Sequence, residues 1–238
     1  MNKSDSMTHK NAILIPSQLL TADLWRPLMN SLGSAIDGRV ADHGSLDTVQ
    51  GLASGILATA PERFILFAHG MGGFIAFEMF RQQPERIEKL LLFSTLASAD
   101  TPAQTARRMN YAQLVRAGNY PAVVEERIPM LLHPDRRHDG PLVALVRKMA
   151  EDTGAETFLL QQHAIMNRPD SRPSLPAIRC PTLIFHGRQD GITTMDHQQE
   201  LLAGIPEAEL HVIEDCGHLM QLERPELVNP IIADWIGR

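Results

Sequence analysis

Short, almost uninterrupted apolar runs recur along the chain, each closed by turn-forming residues and separated from the next by a stretch of helical periodicity. Asn11–Pro16, Phe64–Ala68, Lys89–Phe93, Thr182–Phe185 and Glu209–Ile213 predict strands, with Arg39–Ala41 as a weaker sixth. A strand that is apolar at consecutive positions offers apolar side chains to both faces, which suits parallel strands covered on both sides. Helical spacing predicts helices at Ser45–Ala60, Gly73–Gln83, Asp196–Ala203 and Pro225–Trp235. Alternation of this kind implies right-handed βαβ crossovers, and so an α/β fold: a mostly parallel sheet of about six strands with helices on both faces.

Residues 98–174 break the rhythm. They hold no strand pattern but helical patterns at Pro102–Ala117, Ala122–Ile128, Gly140–Ala150 and Glu156–Met166, punctuated by Pro129, Pro134, Gly140 and Pro169. A single crossover needs only about a dozen residues. The segment is therefore expected to be a helical cap over one end of a core made of residues 1–97 and 175–238.

Composition narrows the class. With 238 residues, 44% hydrophobic and 21% charged, the chain suits one domain with an insertion. A net charge of −6 argues against nucleic acid as a partner, since that binding needs a basic face. Cys180 and Cys216 are too few for a secreted disulfide framework. Met1–Lys10 is polar without the apolar stretch of a signal peptide, and Met7 offers an alternative start. No run reaches the roughly 20 apolar residues of a membrane span. These features predict a cytoplasmic protein without a membrane partner, monomeric or homodimeric.

The chemistry concentrates at Phe64–Glu78, where an apolar strand runs through Ala68-His69-Gly70-Met71-Gly72-Gly73 straight into a helix. Small residues at 68 and 72 suit a sharp strand-to-helix turn. The segment resembles the nucleophile elbow of the α/β-hydrolase superfamily and fits its pattern, small-His-Ser-Met-Gly-Gly, at every position except the serine, which is Gly70. Two later turns fit the same resemblance. His186-Gly187-Arg188-Gln189-Asp190 matches the turn that carries the triad acid, and Glu214-Asp215-Cys216-Gly217-His218 matches the one that carries the catalytic histidine. The order 70, 190, 218 is that of the superfamily.

The resemblance implies an acyl-enzyme cycle without cofactor or metal, on a small-molecule carboxylic ester or lactone. His218 would be the general base, oriented by Asp190, with Asp215 as the rival acid. The backbone amides of Met71 and Gln18 would form the oxyanion hole, although Pro16-Ser17-Gln18 replaces the usual His-Gly-x. Ser17 is set aside as a replacement nucleophile because it lies on this loop and not on the elbow. Ser17, Leu19, Tyr111, Tyr120, Met130, His163 and Met166 are the expected substrate-binding residues. Arg107, Arg108 and Arg116 read as a solvated helix face in preference to carboxylate recognition.

Within the superfamily the chain looks most like small esterases of the pimeloyl-ACP methyl ester esterase and enol-lactonase groups, on Arg168–Pro173 and Ile178–Thr182. The N-terminal hairpin common there is expected to be lacking. Glycine has no Oγ, so Gly70 cannot carry an acyl group. Either serine was removed by design, which the intact remainder favours, or the natural chain lacks it. The chain is then expected to bind ester or lactone and turn it over negligibly. The alternatives are a natural ligand-binding homologue without catalysis and a C–C bond hydrolase.

Overall fold

A computed structural model describes residues 9–238. The alternative start at Met7 and most of the polar Met1–Lys10 segment lie outside them. Six strands, Lys10–Ile15 (β1), Ile36–Val40 (β2), Phe64–His69 (β3), Ile87–Phe93 (β4), Thr182–Gly187 (β5) and Ala208–Ile213 (β6), form one sheet. Their order is β2-β1-β3-β4-β5-β6, with every neighbouring pair parallel. Among the described residues no antiparallel strand precedes β1.

Side-chain alternation divides the apolar residues into two cores. Ile13, Ile15, Phe64, Leu66, Ala68, Leu90, Leu92 and Ile184 point to one face. Helices Val49–Thr59, Met71–Gln82 and Met195–Gly204 cover it there. Ala12, Leu14, Ile65, Phe67, Leu91, Phe93, Leu183 and Phe185 point to the other, beneath Arg26–Leu32 and Pro225–Gly237. In chain order the helices are Arg26–Leu32 (α1), Val49–Thr59 (α2), Met71–Gln82 (α3), Pro102–Arg116 (α4), Tyr120–Leu131 (α5), Gly140–Met166 (α6), Met195–Gly204 (α7), Met220–Glu223 (α8) and Pro225–Gly237 (α9). Trp25 anchors the second core edge-on to Phe67 and Phe93, at 6.2 and 5.3 Å between ring centres.

Between β4 and β5 the helices α4, α5 and α6 pack on one another. The two helices predicted within Gly140–Met166 are halves of α6, interrupted at Gly154, where φ is +75°. α5 runs on through Pro129 to Leu131 because Ile128 and Leu131 are both buried. α2 starts at Val49, later than its pattern, because the Thr48 hydroxyl caps it by accepting from the Gly51 N–H. No helix of the described residues is long and apolar enough to cross a membrane.

The chain leaves β1 toward β2 on one side, and the next strand, β3, takes the other side of β1. The loops after β1 and β3 therefore diverge at their C-terminal ends, and a parallel sheet opens its ligand crevice at such a reversal.

Candidate active site

Gly70 alone turns the chain from β3 into α3, at φ +51° and ψ −111°. A side chain is strained in that conformation. The turn is fixed on three sides. The Gly70 N–H donates to the Phe93 carbonyl at 2.9 Å, and the Gly70 carbonyl accepts from the Gly73 N–H at 3.0 Å and the Thr95 hydroxyl at 2.7 Å. Gly72 is needed because a Cβ there would run into the carbonyl of Ile15 on β1.

Asp190 and His218 meet beside this turn. His218 Nδ1 donates to Asp190 Oδ2 at 2.8 Å, and both side chains are almost wholly buried. With Nδ1 carrying the proton, Nε2 of the neutral imidazole is left as the acceptor. Asp190 also accepts from the N–H groups of Ile192 (2.7 Å) and Thr193 (3.1 Å), and from the Thr193 hydroxyl (2.7 Å). Burial alone would raise its pKa. The positive charge that His218 carries when protonated, together with these hydrogen bonds, outweighs burial and holds the carboxyl well below its ordinary range. Asp215, the rival acid, is exposed and lies 3.8 Å from Arg224.

His218 is braced through its backbone. Its N–H donates to Leu131 O at 3.0 Å, and its carbonyl accepts from His69 Nε2 at 2.9 Å. Burial, and then the neighbouring His218 charge, push His69 down to about 3, so it acts as a neutral donor. Glu223 completes the support. One oxygen accepts from the N–H groups of Gly217 and Leu219, each at 3.1 Å, and the other from His133 N–H at 2.8 Å. That carboxylate joins the histidine loop to the turn between α5 and α6, and burial raises its pKa.

A cavity opens over these groups, lined by Ser17, Gln18, Gly70, Met71, Met130 and His218 together with Phe74, Ser94, Thr95, Ile165 and Thr193. The sequence-predicted Gly70, Asp190, His218, Gln18, Met71, Ser17 and Met130 thus come together. The remaining five do not line it. Leu19 is packed in the core at φ +67°. Tyr111 is held by Glu126 at 2.7 Å and Tyr120 by the Ala150 carbonyl at 2.5 Å, both inside the helical segment. His163 is exposed against Asp47, and Met166 faces a separate groove with Met109 and Arg116. Apolar and aromatic character marked most of these residues as pocket-forming, but Tyr111 and Tyr120 tie the helices together, Leu19 fills the core, and His163 and Met166 face away from the cavity.

Arginines were the missed signal. Arg107, Arg108 and Arg127 all line the cavity; Arg107 is exposed, as a solvated face implies, whereas Arg108 is half-buried, which corrects its reading. Arg108 is paired with Asp100 at 2.7 Å. Arg127 is 8% exposed, its Nε has no partner, and its guanidinium lies over the Tyr111 ring at 5.7 Å. Burial, reinforced by Arg108, pushes its pKa down to about 10. The Gln18 side-chain amide is likewise buried without a partner. Among the described residues no cluster of three or more His, Cys, Asp or Glu side chains is arranged to hold a metal.

A family model described as "Alpha/beta hydrolase family" matches residues 20–231. The putative carbamate hydrolase RutD of Serratia proteamaculans is 26% identical over 95% of this chain and 93% of its own length. The 2-hydroxy-6-oxononadienedioate/2-hydroxy-6-oxononatrienedioate hydrolase of Escherichia coli is 29% identical over 73% of this chain, the match spanning 62% of that relative. A thermophilic esterase from Thermogutta terrifontis, solved with malate bound, superposes with a TM-score of 0.85 at 26% identity, covering 96% of this chain and 90% of that one. The enol-lactonase of Burkholderia xenovorans, at 22% identity and a TM-score of 0.87 over 97% and 92% of the two chains, is a likeness of fold. With the family model covering most of its length, the chain belongs to the alpha/beta hydrolase family.

Proposed function

We propose that this protein hydrolyses a small carboxylic ester or lactone that bears a carboxylate, by an acyl-enzyme route. The observation that carries the reading is the His218–Asp190 pair, with an acceptor Nε2 facing a cavity that also receives the first N–H of α3 at Met71. His218 takes the proton of the attacking hydroxyl, which must come from a residue other than Gly70, and returns it to the leaving alcohol. Asp190 keeps its tautomer and stabilises the imidazolium. The Met71 N–H and the Gln18 amide hold the developing oxyanion, where removing one donor typically costs about 10²–10³ in turnover.

Arg127 supports the anionic substrate. A buried guanidinium without a carboxylate partner is costly to the fold and is relieved when a ligand brings the anion. The helices of residues 98–174 act as a cap that supplies this charge. A relative named for a dioate favours a second reading, C–C bond hydrolysis of a keto acid. Hydrolysis of 4-nitrophenyl esters with and without a terminal carboxylate, alongside lactones and diketo acids, tests both readings. A preference of ten-fold or more for carboxylated ester or lactone is expected. Cleavage of the diketo acid alone would establish the second reading, and binding without turnover of any of them would make the protein a ligand-binding homologue.

A further inference from the structure

Gly70 leaves the elbow without a hydroxyl, yet the place where one would stand is filled. A Cβ built on Gly70 falls inside contact distance of Ser17 Oγ, 2.9 Å from Ser17 Cβ and 3.4 Å from His218 Nε2. The Ser17 hydroxyl accepts the Met71 N–H at 3.2 Å, so it occupies the oxyanion donor, and the same Gly70 Cβ position that meets it also meets His218 Nε2. Its loop follows β1, next to β3 in the sheet, and strand order alone brings it to the elbow. Its isolation in sequence therefore does not remove it from the site.

The loop is also held rigid. The Ser17 carbonyl accepts from the Leu20 N–H at 3.2 Å and from His43 Nε2 at 3.0 Å. His43 is buried and its pKa lowered by that burial, so the ring is a neutral N–H donor. Leu19 takes the left-handed conformation to close the turn. Position 17 carries a serine where the resembled pattern has glycine, and position 70 carries a glycine where it has serine. The hydroxymethyl group thus stands on the loop after β1 and not on the elbow, and a serine placed at 70 alone would be driven into Ser17.

We propose that Ser17 is the nucleophile of this protein, a reading that rests on the hydrolase function above. Ser17 Oγ gives its proton to His218 Nε2 and bonds to the substrate carbonyl carbon, while the Met71 N–H passes from Ser17 Oγ to the carbonyl oxygen. The C–O bond to the leaving group then breaks, and the departing alkoxide takes the proton from His218. Water, deprotonated by His218, cleaves the acyl-Ser17 ester, releases the acid and returns the proton to Ser17.

Treatment of the full chain with diisopropyl fluorophosphate tests this, because a serine nucleophile displaces fluoride and keeps the phosphoryl group. Tandem mass spectrometry should place one adduct on Ser17, abolished by Ser17→Ala and by His218→Ala. Ser17→Ala should also lower ester turnover by about 10³-fold or more, with its melting temperature checked against the parent. The double variant Ser17→Gly/Gly70→Ser keeps the packed volume and should carry the adduct on residue 70. Labelling and turnover in the double variant only, or an adduct elsewhere in the parent, would overturn Ser17 and leave the hydrolase reading standing. No adduct and no hydrolysis in either protein would overturn both.

Discussion

Replacing Arg127 by methionine should move stability and substrate preference in opposite directions. The side chain is buried, has no carboxylate partner among the described residues, and its guanidinium is pushed down to about 10 from an ordinary 12.5, burial being the largest cause. At about 1.4 kcal/mol per pKa unit, that shift corresponds to roughly 3 kcal/mol against the charged form in the folded protein. Methionine removes the charge and retains most of the apolar volume, so up to about that amount is recovered. Each kcal/mol should raise Tm by about 2–4 °C in a chain of this size. The same change deletes a charge-assisted hydrogen bond to the substrate carboxylate, about 1.5–3 kcal/mol, or roughly a 10- to 150-fold rise in KM for carboxylated esters. Neutral esters should be little affected. Differential scanning calorimetry and paired kinetics on the two ester classes read both effects. A lower Tm together with an unchanged preference would refute the reasoning.

Other consequences follow from the buried groups around His218. Glu223→Gln puts an amide among three N–H donors and leaves one unpaired. It should cost about 1–3 kcal/mol in urea denaturation and lower turnover through His218, and equal stability would remove the bracing role. Asp190→Asn should cost about 10⁴ in kcat, measured by steady-state ester hydrolysis, and a loss below ten-fold would refute its role. Acid should weaken the fold well above the carboxylate range. His69, held at about 3 by burial and then by the His218 charge, stays neutral while an unfolded imidazole binds a proton below about 6.5. The unfolded state then carries more protons, so stability drops as the pH is lowered across that window, by roughly 2 kcal/mol at pH 5 from His69 alone. His43 and His186, also lowered mainly by burial, act in the same direction, and the depressed Asp190 adds its loss only below about pH 4. A urea midpoint unchanged between pH 7.5 and pH 5 would contradict this.

The strands were readable because a parallel strand covered on both faces must be apolar at consecutive positions, as Phe64–Ala68 and Thr182–Phe185 are. β2 was fainter for the complementary reason. It is an edge strand, half exposed along its length, and its Asp37-Gly38-Arg39 carries little apolar signal. Asp190 and His218 were legible because each closes a strand-to-loop motif of fixed spacing.

Ser17 was legible as a residue of the site, since the loop after β1 stands beside the elbow after β3. Its contact with the Gly70 position was not, because no local motif fixes how that loop meets the turn. The paired substitution at 17 and 70 was the available signal. Arg127 was harder to pick out: it shares the buried face of α5 with Val124, Ile128 and Leu131 at helical spacing, but that spacing does not say that the face also borders the cavity.

The most direct test of the whole account is the initial rate of hydrolysis of a mono-4-nitrophenyl dicarboxylate ester by the full chain and by its His218→Ala variant at pH 7.5. The parent should turn the ester over, and the variant should be slower by about 10³-fold or more. Equal rates in the two proteins, or no hydrolysis by the parent, would contradict it.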